Sequence, residues 1–266
     1  PGCNYAIQGL MNGRRAQEEL VNAALSTGTR DIQMATSYVE GGNILNGHRP
    51  DGIPYALVGR DSLAVTSKLL PGQPGEAEAI KQVAADYGLQ PENIIPLEQP
   101  GDFHLDMSMA LAGPGQVILN DSRQVLALQK EWISEHYKHT WFNRDEQPSQ
   151  LQEVEKKANR TAVFEDIVEK QLKAAGLEVF RVAGVFPKSV ANIQMNFLNL
   201  RQGQNDQGET FAVSLGGEER AEQAFAHTLL EKIPAGYDRI HFLDRSWTAE
   251  TLHYNGGIKC RTKVKA

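Results

Sequence analysis

Cysteine is nearly absent from this chain, with two thiols, Cys3 and Cys260, among 266 residues. So small a number rules out a disulfide-stapled scaffold and fits a reducing compartment, with a single Cys3–Cys260 bridge left open. Long apolar runs are missing too. No stretch reaches the roughly 18 residues of a membrane-spanning helix, so the expectation is a cytoplasmic protein with no membrane partner. The start, Pro1-Gly2-Cys3-Asn4-Tyr5, carries neither an initiator Met nor a basic segment followed by an apolar core. No signal peptide is therefore expected, and a cut or processed N-terminus is. Excess positive charge is also lacking. The formal net charge is −6 with interspersed signs, which argues against a nucleic-acid partner and is compatible with a cationic substrate. Neither GxGxxG nor the P-loop pattern occurs, which removes the common nucleotide signatures. His136 and His139 lie three residues apart with no third ligand at a telling distance, so they read as a solvated helix face and no metal is expected.

A hydrophobic content of 41% over this length is enough for one large domain or two small ones. Helical spacing predicts helices over 14–26, Glu76–Tyr87 with Gly88 as its stop, and Glu218–Ile233. Two or three more are expected between 122 and 178, with Asn143–Ser149 as a loop. Strands are expected at Ile32–Met34, Ser37–Val39, Ile44–Leu45, Tyr55–Gly59, Leu63–Val65, Ile94–Leu97, Phe103–Leu111, Val117–Leu119, Glu178–Val182, Met195–Leu200, Thr210–Leu215 and Arg239–Leu243, with Asn46–Pro54 as a turn. The recurring unit is strand, strand, helix, strand. A repeat of roughly 50 to 60 residues suggests a pseudo-symmetric α/β array more than a doubly wound sheet.

Three stretches carry chemistry, each where strand meets turn: Glu40-Gly41-Gly42-Asn43, Phe103-His104-Leu105-Asp106 and Gly256-Gly257-Ile258-Lys259-Cys260. The glycine pair lets the backbone turn sharply before Cys260. Lys259 and Arg261 flank that thiol and favour thiolate if they lie near it, although on a strand they would point to the opposite face. Strand periodicity would put His104 and Asp106 on one side. Taken singly, each residue has an ordinary role: Glu40 in a turn, His104 in a core, Asp106 as a cap, Cys260 as a small buried hydrophobe.

Together and in this order, they resemble the pentein superfamily of guanidine-modifying enzymes, over about Tyr38 to Lys263. The resemblance implies a single α/β catalytic domain spanning 1–266, a propeller of pseudo-symmetric ββαβ modules with a helical insertion at about 123–176. It implies a deiminase without cofactor or metal, with Cys260, His104, Glu40 and Asp106 as catalytic residues. The insertion looks more like the longer agmatine or protein-arginine deiminases than the compact dimethylarginine hydrolases. Family members usually carry a further guanidinium-binding aspartate in the module before the EGG turn. Arg30-Asp31 lies too close to Glu40 for that role, so either a first module has been lost or the chain is a divergent member with fewer carboxylates.

A guanidinium carbon is cationic and deactivated by delocalisation, so a site for it needs carboxylates on the N–H fork and a soft, strong nucleophile. Cys260 would attack, His104 would move protons, and Asp106 would clamp the substrate. Glu40 would share that clamp or hold the His104 tautomer, while Asn43 and Gly257 would shape the binding turns. The partner is then a small-molecule or peptidyl guanidinium. An amidinotransferase, in which an amine replaces water, and a non-catalytic binding module remain alternatives.

Overall fold

The computed structural model describes residues 35–100, 104–139, 147–186, 194–234, 236–246 and 248. The helix expected over 14–26 and the strand Ile32–Met34 lie outside them. The chain divides into two compact units, Pro1–Leu97 and Glu98–Ala266. It is a mixed α/β protein; the described residues form four small sheets, and none of these closes into a barrel or propeller.

In the first unit, β1 (Ile44–His48) and β2 (Pro54–Gly59) form an antiparallel hairpin, helices α1 (Arg60–Leu69) and α2 (Glu76–Tyr87) follow, and β3 (Ile94–Leu97) returns parallel to β2. Central β2 is buried along Tyr55–Gly59, as expected of a strand with neighbours on both edges. Its Ala56 and Val58 pack with Ile44, Leu63, Ala79, Val83 and Ile94 as one core. Glu76 and Glu78 in the first turn of α2 favour its N-terminal dipole, and Gly88 closes it in a left-handed conformation.

The second unit repeats that plan twice. β4 (Met109–Leu111) and β5 (Gln116–Asn120) form a hairpin, helices α3 (Ser122–His139) and α4 (Gln147–Ala174) follow, and β6 (Glu178–Val182) lies parallel to β5. After the short pair β7 (Val185–Phe186) and β8 (Met195–Asn196) come hairpin β9 (Arg201–Gln204) and β10 (Thr210–Ser214), helix α5 (Glu219–Glu231), and β11 (Arg239–Phe242) parallel to β10. Each of these three sheets therefore has its middle strand antiparallel to the strand before it and parallel to the strand after the helices. The three hairpin loops share a further device. Gly52, Gly115 and Gly208 have φ of 84°, 71° and 84°, a left-handed conformation that side chains disfavour.

The core of the second unit centres on aromatic rings. Phe197 lies 5.2 Å from Phe225, 5.5 Å from Phe242 and 6.0 Å from Phe186 between centroids, and Trp132 stacks on Phe186 at 5.3 Å. Gly216, two residues past β10, is under a tight constraint, because a Cβ there would collide with the Leu243 carbonyl oxygen. Gly216→Ala must push backbone apart and is expected to cost about 2–3 kcal/mol, read as a lower denaturant midpoint at unchanged slope.

Several expected strands are corrected. Ser37–Val39 joins no ladder, since its backbone bonds go to side chains of Asp86 and Thr66. Leu63–Val65 lies inside α1, where Leu63 and Thr66 form a buried helical face that a three-residue apolar run does not distinguish from a strand. The turn expected over Asn46–Pro54 shrinks to 49–53, because β1 continues through His48 and β2 starts at Pro54. Within the described part of Phe103–Leu111, Leu105–Met107 is a 3₁₀ turn and strand begins only at Met109. Leu105 and Asp106 are buried in succession, which a half-buried strand would not allow. Met195–Leu200 is strand for two residues and then bends, with β9 beginning at Arg201. The described residues of the insertion form two helices, and α4 begins at Gln147, inside the expected loop.

Candidate functional site

Glu40 and Asn43 sit in the first unit, on a segment shaped by side chains. Asp86 Oδ2 accepts the N–H groups of Thr36 at 3.0 Å and Ser37 at 2.7 Å. The Thr66 hydroxyl accepts from Tyr38 N at 2.9 Å and donates to Tyr38 O at 3.1 Å. These bonds hold the chain extended up to Glu40, the N-cap of the 3₁₀ turn Gly41–Asn43, which Asn43 N closes onto Glu40 O at 2.8 Å. Asn43 is buried at the end of that turn.

Two residues before Glu40 on this extended segment, the Tyr38 hydroxyl donates to Glu40 Oε1 at 2.7 Å. That bond first, then burial and the carboxylate charge, pushes the Tyr38 phenol up to about 12. Because the folded value is raised, this linkage stabilises the fold below the ordinary phenol value of 10.0 and fades as pH climbs through about 12. Tyr38→Phe is expected to cost roughly 1 kcal/mol, the net worth of a partly exposed hydrogen bond. In an alkaline absorbance titration, the difference between parent and variant should place the lost phenol above the ordinary tyrosine range. A lost phenol that titrates near 10 would contradict the bond to Glu40.

His104 and Asp106 sit in the second unit on the corresponding turn. His104 is its extended N-cap, with φ −87° and ψ 153°, and Met107 N and Ser108 N close it onto His104 O at 3.1 Å and Leu105 O at 2.9 Å. Leu105 anchors it in the core, and Asn120 N, donating to Ser108 O at 3.0 Å, ties it to β5. Asp106 is 3% exposed. The two residues thus share a turn instead of one face of a strand, which replaces the periodicity argument with local turn geometry.

The equivalence of the two places is topological. Glu40 caps a three-residue 3₁₀ turn that enters β1, and His104 caps one that leads into β4; both are the first strand of a ββαβ module. Cys260 and Gly257 lie outside the described residues, as do the side chains of His136 and His139. Among the described residues, no group of three His, Cys, Asp or Glu side chains could hold a metal ion. No helix among them is long and apolar enough to cross a membrane.

Sequence reasoning missed Asn196 and Asn199. Both are buried, and their side-chain amides donate to Met107 O at 2.8 Å and Asp106 O at 3.3 Å respectively. The available signal was two amides, three apart, inside the apolar run Met195–Leu200, since buried amides require partners. No family model and no curated protein matches this chain.

Proposed function

We propose that the chain is a guanidine deiminase of the pentein type, converting an arginine-like guanidinium to a ureido group with release of ammonia. The observation that carries the proposal is the placement of Glu40 and His104 as N-caps of equivalent turns leading into the first strands of ββαβ modules that share one sheet topology. The fold that goes with this reading is a propeller of such modules forming one catalytic domain. The motif order Glu40, His104, Asp106, Cys260 supports the same function.

The chemistry balances without an oxidant or reductant. The Cys260 thiolate adds to the guanidinium carbon, and His104 as imidazolium gives its proton to the departing nitrogen as the C–N bond breaks. The resulting thiouronium carbon takes a water whose proton passes to His104. As the C–S bond breaks, the hydroxyl proton passes through solvent to the released ammonia, the carbonyl forms, and the thiolate and the ureido product are released. Asp106 accepts the guanidinium N–H groups, and Glu40 shares that clamp or orients the His104 ring.

Ammonia and ureido release would be measured for free arginine, agmatine, methylated arginine and an arginine peptide. Turnover of one of them, lost in Cys260→Ser, is the expected result. Product formation only when an amine acceptor is added would favour an amidinotransferase, and tight guanidine binding without turnover a binding module. With the best substrate, Asp106→Asn is expected to raise KM about 30-fold or more, because it weakens the charge holding a desolvated cation. An unchanged KM would remove Asp106 from the clamp.

A further inference from the structure

We propose that Asn196 and Asn199 are positioning residues for the His104–Asp106 turn, an inference that rests on the deiminase reading of that turn. The bend at 197–199 leads into β9, the first strand of the third ββαβ module, as the Glu40 turn leads into β1 and the His104 turn into β4. The third entry bend is laid against the second. Asn196 Oδ1 accepts from Leu198 N at 2.9 Å and Asn199 N at 3.2 Å, which orients its amide to donate to Met107 O at 2.8 Å. Asn199 Nδ2 donates to the preceding carbonyl, Asp106 O, at 3.3 Å. Two donors thus grip two successive carbonyls of the turn. Each also lies near the Met107 sulfur, at 3.8 Å and 3.7 Å.

The bend has a firm base. Phe197 N donates to Gly184 O at 2.8 Å, and Phe197 O accepts from the Ser214 hydroxyl at 3.0 Å. Between those bonds its ring is fixed by three other phenylalanines. A three-residue 3₁₀ turn has poor hydrogen-bond geometry of its own, so external bonds to its carbonyls govern its dihedral angles. Those angles set the directions in which His104 and Asp106 leave the backbone, and a displacement of about 1 Å is enough to lower turnover about a hundredfold. Amides that merely satisfied core carbonyls would affect stability alone.

Two variants separate the roles. Asn196→Asp keeps the oxygen that accepts from Leu198 and Asn199 and replaces the donor to Met107. Asn199→Leu keeps the volume and removes the donor to Asp106. NMR hydrogen exchange of the Met107, Ser108 and Asn120 amides would be measured beside steady-state kinetics with the best guanidine substrate. The expected result is faster exchange at those three amides than at Phe197, with kcat down roughly 10–100-fold and KM up about tenfold in samples that retain the parental circular dichroism. A purely structural role would leave KM unchanged and scale kcat with the folded fraction. That outcome, or parental exchange at the three amides, overturns the proposal. If Asn196→Asp does not fold, Asn199→Leu, which introduces no charge, decides. A parent protein inactive on every guanidine would remove the deiminase reading, and the exchange measurement would then decide the positioning alone.

Discussion

Cys260→Ser is expected to lower guanidine turnover by about 10⁴-fold or more and to leave thermal unfolding within about 0.5 kcal/mol of the parent. The size of the effect follows from the electrophile. A guanidinium carbon shares its positive charge among three nitrogens, so addition to it requires a nucleophile that is both anionic and polarisable. Serine has nearly the volume of cysteine, and its hydroxyl stays protonated at neutral pH. On the proposed mechanism substrate binding should survive, because the carboxylates proposed to hold the guanidinium, Asp106 and Glu40, are untouched. A variant that still turns over guanidine would end the covalent mechanism. Trapping supplies an independent check: mass spectrometry of the acid-quenched parent should find the amidine adduct on the peptide that contains Cys260, and none on Cys3.

Glu165→Ala is expected to destabilise the second unit by about 3–5 kcal/mol, seen as a fall in Tm on the order of 10 °C. Glu165 on α4 is fully buried and accepts four hydrogen bonds: from Ser122 N at 2.9 Å, Ser122 Oγ at 2.7 Å, Asn120 Nδ2 at 2.7 Å and Arg181 Nη2 at 2.8 Å. It joins α4 to β5, β6 and the start of α3. Alanine removes the acceptor of all four donors and opens a cavity; Asn120 Nδ2 keeps only its longer bond to Ser122 Oγ, at 3.2 Å. Asn120 cannot turn over to compensate, because its Oδ1 already accepts from Gly184 N at 3.1 Å and Val185 N at 2.8 Å.

Arg181→Met should cost less, about 1–2 kcal/mol. Glu165 would keep its Ser122 and Asn120 donors, and burial already pushes its carboxyl above the ordinary value of 4.5. A folded-state value raised in this way gives stability that is fully present below 4.5 and is lost as pH rises through the raised value. Removing the guanidinium raises that value further. The Arg181→Met deficit should therefore be largest near neutrality and shrink in acid. A deficit that grows in acid would mean that the carboxylate charge itself stabilises the fold.

The insertion shows how far periodicity reaches. Val125, Leu128, Trp132 and Ile133, and later Val163, Ile167 and Leu172, carry helical spacing, and both helices form. Yet Val163 and Ile167 face solvent while Val168 and Leu172 are buried, so spacing located the helix without choosing its inner face. The Glu165 network had no signature in sequence at all. Its members come from positions 120, 122, 165 and 181, and only the packing of α4 on the sheet puts them within hydrogen-bond distance.

The sequence by itself determined the local elements whose signals are local: α2 with its glycine stop, the apolar strands β2, β3 and β5, the α5 stripe, and the strand, strand, helix, strand order of the modules. It also named Glu40 and Asn43 as residues of a turn, where the structure describes both, whereas His104 and Asp106, expected on one face of a strand, lie in a turn. Tertiary structure alone decided what depends on distant partners. Thr66 and Asp86 took the backbone bonds of 36–38 and so prevented a strand. Burial of Leu105 with Asp106 folded the alternating pattern after His104 into a turn. Asn196 and Asn199 reached that turn across some ninety residues of chain. Such bonds form only once loop closure has brought the segments together, and no window of neighbouring residues contains the information.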